Sequence, residues 1–174
     1  MPLTIRTIDF EASCLPRHGR SFPIEVAIAA GGSARSWLIR PHESWADWDW
    51  TAEAQALHGL SRARVTAEGL PVETVLAELT EAAGDARIIA DSPIDQYWLD
   101  CLARAAGRTA PFRIDHVAPF FDEQGADAAR IAAAVARADA LGLVRHRAAA
   151  DALWLGAVID GLAAPAMREL VAAE

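Results

Sequence analysis

The sequence predicts an α/β domain, a mixed central β-sheet of about five strands flanked by α-helices. Three observations carry that prediction. Runs rich in β-branched and apolar residues crowd the first 40 positions, and two of them are split by a short glycine turn. From Pro71 onward the apolar spacing becomes helical. Between the helical stretches, short apolar runs recur, so strands and helices alternate. A meander followed by alternation predicts a sheet that mixes antiparallel and parallel pairs, with helices on its faces.

Each element follows from its residues. Residues 4–10 form an apolar, β-branched run that ends in acids and reads as the first strand. Residues 24–30 read as the second strand, Gly31-Gly32-Ser33 as a turn, and residues 35–40 as the third. The two glycines are not a phosphate loop, because no Gly-Lys-Ser/Thr follows and no helix starts there. Thr51 is placed to cap a short helix through Leu57, and Ser61 to cap another. Residues 71–83 carry apolar side chains at 72, 75, 76 and 79, a helical period. Residues 87–90 read as a fourth strand, 94–106 as a helix, and 113–117 as a fifth strand. Two helices, 126–141 and 148–167, complete the pattern.

Composition bounds the function. The 174 residues make about one domain, taken as residues 1–174, with a formal net charge of −8. All 16 cations are arginine, and 40 residues are alanine. No run of about 18 residues is apolar and free of charge, so no membrane-spanning helix is expected. The start lacks a basic stretch followed by an apolar one, and Cys14 and Cys101 are isolated, with no Cys-x-x-Cys pair. The start therefore argues against a signal peptide, and the isolated cysteines suit a reducing cytoplasm and argue against a zinc site or disulfide scaffold. The acidic balance argues against a passive electrostatic binder of nucleic acid.

Four acids and one histidine stand out by position. Asp9 and Glu11 lie two apart at the end of the first strand, so they share a face while Phe10 points into the core. Two carboxylates on one strand face repel unless a cation lies between them. Asp95 starts the helix after the fourth strand, and His146 and Asp151 bracket the start of the last helix. Taken singly, each has an ordinary explanation, since acids favour helix N-termini through the dipole. Together they are the parts of a two-metal phosphodiester hydrolase. A histidine titrating near neutrality suits a base that takes the proton of attacking water.

In order and spacing, these motifs resemble the DEDDh family of 3′–5′ exonucleases, which includes proofreading exonucleases of bacterial replicases, ribonuclease T and oligoribonuclease. Ile8-Asp9-Phe10-Glu11, Ile94-Asp95-Gln96-Tyr97-Trp98-Leu99 and His146-Arg147-Ala148-Ala149-Ala150-Asp151-Ala152 resemble its three motifs. Pro23-Ile24-Glu25-Val26-Ala27 resembles its second strand and Leu57-His58-Gly59-Leu60 its His-Gly-Ile segment. The resemblance spans nearly the whole chain. It implies a ribonuclease-H-like fold, two Mg²⁺ or Mn²⁺ ions, and stepwise release of nucleoside 5′-monophosphates from a single-stranded 3′ end. It makes Asp9, Glu11, Asp95 and Asp151 metal ligands and His146 the general base. Leu57 and His58 would lie near the terminal base, and the backbone amides of Ala12 and Ser13 near the 3′ nucleotide. RNA or short oligonucleotides are the favoured substrate, and a homodimer is the expected assembly. The alternatives are a DNA exonuclease of the proofreading type, a hydrolase of a small phosphoester, and a non-catalytic interaction domain of the same fold. One departure is Ala90-Asp91, where many members carry His-Asn, so Asp91 is a further acid near the site.

Other residues carry weaker signals. Trp45, Trp48 and Trp50 are placed either to stack bases or to pack a loop on the sheet, and the neighbouring Asp47 and Asp49 favour packing. Arg17, Arg20, Arg145 and Arg147 suit phosphate through the guanidinium fork, or are simply solvated. Glu25 reads as a structural acid, and Cys14 as a small buried side chain. Filled with divalent cations, the acidic site would leave arginines free for phosphate. The metal-free protein would then hold nucleic acid weakly.

Overall fold

The computed structural model describes residues 4–163. Five strands form one sheet in the order β3-β2-β1-β4-β5, where β1 is Ile5–Ala12, β2 Pro23–Ala30, β3 Ser33–Leu38, β4 Arg87–Ala90 and β5 Ile114–His116. β1 pairs antiparallel with β2, and β2 with β3, whereas β1–β4 and β4–β5 are parallel. Helices α1 (Ala52–His58), α2 (Arg62–Glu68), α3 (Val72–Ala83), α4 (Ile94–Ala105), α5 (Val117–Glu123), α6 (Ala128–Asp139) and α7 (Ala148–Ala163) surround it. The mixed sheet with helices on its faces is the architecture expected from the sequence.

β1 is central, and its two faces do different work. Ile8, Phe10 and Ala12 pack with α3 and α4 through Val75, Leu76, Leu79, Leu99 and Leu102 in the main core. Thr7, Asp9 and Glu11 have the opposite parity and face α7, where the Thr7 hydroxyl donates to the Ala152 carbonyl at 2.6 Å. α7 lies close to the sheet because small residues meet there. Ala27 and Ala29 of β2 pack on Ala148 and Ala152, and a Cβ at Gly156 would come within 3.3 Å of the Thr7 hydroxyl. These alanines are what allow the close approach. On its outer side α7 packs on α6 through Ala134, Ala138, Val158 and Leu162.

Several boundaries differ from the sequence expectation for local reasons. Ser33 belongs to β3, because Gly31 and Gly32 alone make the turn with φ of +57° and +77°. Two successive positive φ values are the primed hairpin turn that keeps both strands paired up to the glycines. β1 runs past Phe10 to Ala12, so both acids sit inside the strand, with a bulge between Glu11 and Ala12. The fifth strand stops at His116, whose side chain accepts from the Ala118 N–H at 3.4 Å and starts α5. That helix had no counterpart in the sequence reading. Pro119 falls in its first turn, where a missing N–H costs nothing. Asp127 caps α6 by accepting from the Arg130 N–H at 2.8 Å, so this helix starts at Ala128 rather than Ala126. The expected end of the last helix, Met167, lies outside the described residues.

Candidate active site

The carboxyl ends of β1 and β4 point to the same edge of the sheet, with connections leaving to both sides of β1. In open α/β sheets such a switch point is where ligands bind. Asp9 and Glu11 face α7 from β1, Asp91 follows β4, Asp95 sits in the first turn of α4, and Asp151 in that of α7.

Specific contacts draw these acids together. The Asp95 carboxylate accepts the Phe10 N–H at 3.1 Å, which docks the α4 N-terminus on β1 between the two strand acids. Asp151 accepts the His146 N–H at 2.9 Å through Oδ2, and its Oδ1 pairs with the Arg145 guanidinium. The result is two trios that share Asp9. Carboxylate oxygens of Asp9, Glu11 and Asp151 lie within 4.8 Å of one another, and so do those of Asp9, Asp91 and Asp95.

Such crowding has an electrostatic signature. Burial, then the charges of Asp95, Glu11, Asp151 and Asp91, hold the Asp9 carboxyl well above the usual carboxylate range. Glu11 is pushed up to about 8, by burial first and then by Asp151 and Glu25, with Arg147 opposing. Asp95 is also raised well above its ordinary value, chiefly by burial and next by Asp91. Asp9 Oδ2 and Asp95 Oδ2 are buried without a hydrogen-bond partner. Clustered carboxylate oxygens, two of them orphaned, fit a hard divalent cation. These acidic groups are therefore placed to hold metal.

Glu25 has a defined place in this architecture. It lies directly across from Glu11 in the β1–β2 register. Like charges opposite each other on paired strands repel, and Arg147 relieves that repulsion. Its guanidinium binds both Glu25 oxygens at 2.9 and 2.6 Å, and the Ala148 N–H donates to Glu25 Oε2 at 3.2 Å. Glu25 is thus a buried structural acid, as its apolar neighbours suggest, and it fastens the start of α7 to β2. Arg147 and Arg145 are both engaged by carboxylates, so neither is free for phosphate as the sequence reading allowed.

His146 lies between those arginines with φ +66°, a left-handed conformation unusual for a residue with a side chain. It is exposed, and its imidazole makes no hydrogen bond among the described residues. The structure therefore brings the four predicted acids together and places His146 at their rim.

A cavity of about 350 Å³ opens beside Glu11, lined by Phe10, Ala12, Leu57, His58 and Trp98 among others. His58 is 4% exposed. Its Nδ1 accepts the Leu60 N–H at 3.0 Å, and its buried Nε2 faces the Ala12 backbone. Burial lowers its pKa, so the ring is neutral with its proton on Nε2. Leu57 is 57% exposed at the mouth. Ser13 departs from the sequence expectation. It is fully buried, its N–H donates to the Phe22 carbonyl at 2.9 Å, and its hydroxyl accepts the Phe22 N–H at 3.1 Å, which leaves no amide for a nucleotide. The tryptophans pack: Trp45 is 2% exposed and stacks on Phe22 at 5.4 Å, and Trp50 donates to Gln55. Cys14 is buried, with its thiol pushed up by burial.

No family model and no curated protein matches the sequence. Solved structures do match. A 3′-exonuclease that recognises the 3′ end of a histone mRNA stem-loop aligns over 91% of this chain and 63% of its own, with TM-score 0.68 and 12% identity. Escherichia coli exonuclease I in complex with a dT13 oligonucleotide aligns over 92% of this chain and 40% of its own, with TM-score 0.63 and 13% identity. The exonuclease I of Methylocaldum szegediense aligns over 92% and 40%, with TM-score 0.62 and 16% identity. The fold is that of the ribonuclease-H-like exonucleases. At these identities the likeness establishes the fold alone, and the chain spans less than two thirds of each of these neighbours. No helix among the described residues is long and apolar enough to cross a membrane.

Proposed function

We propose that this chain is a metal-dependent 3′–5′ exonuclease acting on single-stranded nucleic acid, with RNA or short oligonucleotides as the favoured substrate and nucleoside 5′-monophosphates as products. The observation that carries the proposal is the convergence of Asp9, Glu11, Asp95 and Asp151 at one sheet edge, beside a cavity of about 350 Å³. These four residues would hold two divalent cations, Mg²⁺ or Mn²⁺. Bound there, the cations supply Lewis acidity that lowers the pKa of water and offsets charge on the leaving oxygen.

The chain's own groups do the rest. His146, exposed at the rim, takes the proton of the attacking water. The water oxygen bonds to phosphorus as the bond from phosphorus to the 3′-oxygen of the preceding nucleotide breaks. Phe10, Ala12, Leu57 and Trp98 present an apolar surface to the terminal base. His58 sits in the same wall beside the terminal base, with its Nε2–H turned inward toward the Ala12 backbone. The 3′ polarity rests on the resemblance of the three motifs to the DEDDh exonucleases. A homodimer belongs to the same expectation. A DNA substrate is the second reading, favoured by a structural neighbour seen with dT13.

The test is digestion of 5′-labelled single-stranded RNA and DNA with Mg²⁺ or Mn²⁺. The wild-type protein should give a stepwise ladder, and Asp95→Asn and His146→Ala should not. Activity that persists in EDTA or in Asp95→Asn would overturn the two-metal reading.

A further inference from the structure

We propose that Asp91 completes a second cation site, made of Asp9, Asp91 and Asp95, so that the protein loads two divalent cations before any nucleic acid arrives. The inference deepens the reading above and shares its location. Its content is different: the second ion is held by three protein carboxylates, without help from a substrate phosphate.

Backbone geometry puts Asp91 there. β1 and β4 run parallel with Thr7 beside Ile89, and two residues further on the same register brings Asp91 beside Asp9. The His116 ring fixes this turn. Its Nδ1 faces the Ala118 N–H, so its Nε2 donates to the Asp91 carbonyl at 3.0 Å. The ordinary role of an acid before a helix is capping, and Asp91 does not fill it. Ser92 accepts the Ile94 N–H at 3.3 Å instead, and the exposed Asp91 carboxylate makes no hydrogen bond or ion pair with another residue among the described residues.

Asp95 supplies an independent indication of a ligand. It is 1% exposed. One of its oxygens is spent on the Phe10 N–H, and the other is buried with no partner. A buried carboxylate oxygen left in that state needs a donor or a cation. Oxygens of Asp9 and Asp91 lie within 4.8 Å, and as ionised carboxylates they supply neither.

The two trios also differ in counter-charge. Beside the Asp9–Glu11–Asp151 trio stand two arginines, Arg145 paired with Asp151 and Arg147 with Glu25 opposite Glu11. No ion pair reaches Asp9, Asp91 or Asp95 among the described residues. The Arg145 charge reaches Asp91 from a distance, but no guanidinium is paired with the second trio, so a cation there offsets charge that no ion pair neutralises. Asp9 belongs to both trios, so it would help to hold either ion.

The experiment counts Mn²⁺ bound to the full chain without nucleic acid, by the loss of the free-ion electron paramagnetic resonance signal and by calorimetry. The wild-type protein should bind two ions. Asp91→Asn should keep one and weaken the other by roughly tenfold or more, with a circular dichroism melt showing that the variant is folded. Asp151→Asn should weaken the other site. One ion in the wild-type protein, or two ions with unchanged affinity in Asp91→Asn, would overturn the second site. The exonuclease reading would survive that result if the ladder and its EDTA sensitivity persist. No Mn²⁺ bound at all would remove both.

Discussion

At the scale of the residue, the site is a balance of carboxylate charge against few cations. Glu11 shows the consequence most clearly. Its folded-state pKa lies near 8 against an ordinary 4.5, so its protonated form favours folding and its ionisation opposes it. That stabilisation is complete below about 4.5 and is lost as pH rises through about 8. Asp9 and Asp95 shift in the same direction. Metal-free protein should therefore unfold at a lower temperature at the alkaline end of this window than at the acid end. Adding Mg²⁺ should raise the melting temperature most where the carboxylates are ionised. Calorimetric scans across that window check both, and a metal-free protein that gains stability with rising pH would contradict the assignment. The four acids were readable from the sequence because strand parity and helix starts fix where such side chains point. Ser13 was not, because its engagement depends on Phe22, which only the pairing of β1 and β2 brings alongside.

At the scale of the element, α7 delivers Asp151 and His146, and two devices set its position. One is the ion pair between Glu25 and Arg147. Glu25 is 3% exposed and Arg147 37%, so truncation leaves a buried carboxylate with a single neighbouring amide. Arg147→Ala should cost about 2 kcal/mol, between the values for exposed and buried pairs, read from the urea midpoint. It should also lower turnover more than it changes KM, since the His146 loop loses its fastening. The other device is the alanine contact between α7 and β2. Ala152→Leu should overpack that contact and cost about 1–3 kcal/mol, and by lifting Asp151 away from Asp9 it should weaken Mn²⁺ binding. Unchanged metal affinity in that variant would show that α7 spacing does not set the site. The sequence displayed these alanines as composition, without saying which helix face they serve. α5 was missed for a similar reason. Seven residues with a proline in the first turn carry too little period, and the helix exists because Val117 and Phe120 pack on Ile89, Leu155 and Ile159.

At the scale of the whole molecule, the net charge of −8 takes on a specific meaning. Five acids meet at one edge of the sheet, and the arginines nearest them are bound to carboxylates. Divalent cations should therefore stabilise the fold as well as serve the chemistry. Saturating Mn²⁺, at about a hundred times its dissociation constant, should raise the melting temperature by roughly 5–10 °C for each ion bound, and EDTA should reverse the gain. The strands, most of the helices and the elements that carry the site acids follow from patterning that the sequence displays, whereas the strand order and α5 do not. What patterning could not display is the counter-charge: which arginine neutralises which acid, and which acids are left without one. The central claim is that the acid cluster removes nucleotides from a free 3′ end. The most direct measurement offers the protein and Mg²⁺ a 5′-labelled single strand with either a free or a blocked 3′-hydroxyl. The account predicts a ladder and nucleoside 5′-monophosphates from the free end, and neither from the blocked strand nor with Asp95→Asn. Equal cleavage of both strands, or internal fragments from the blocked one, would contradict it.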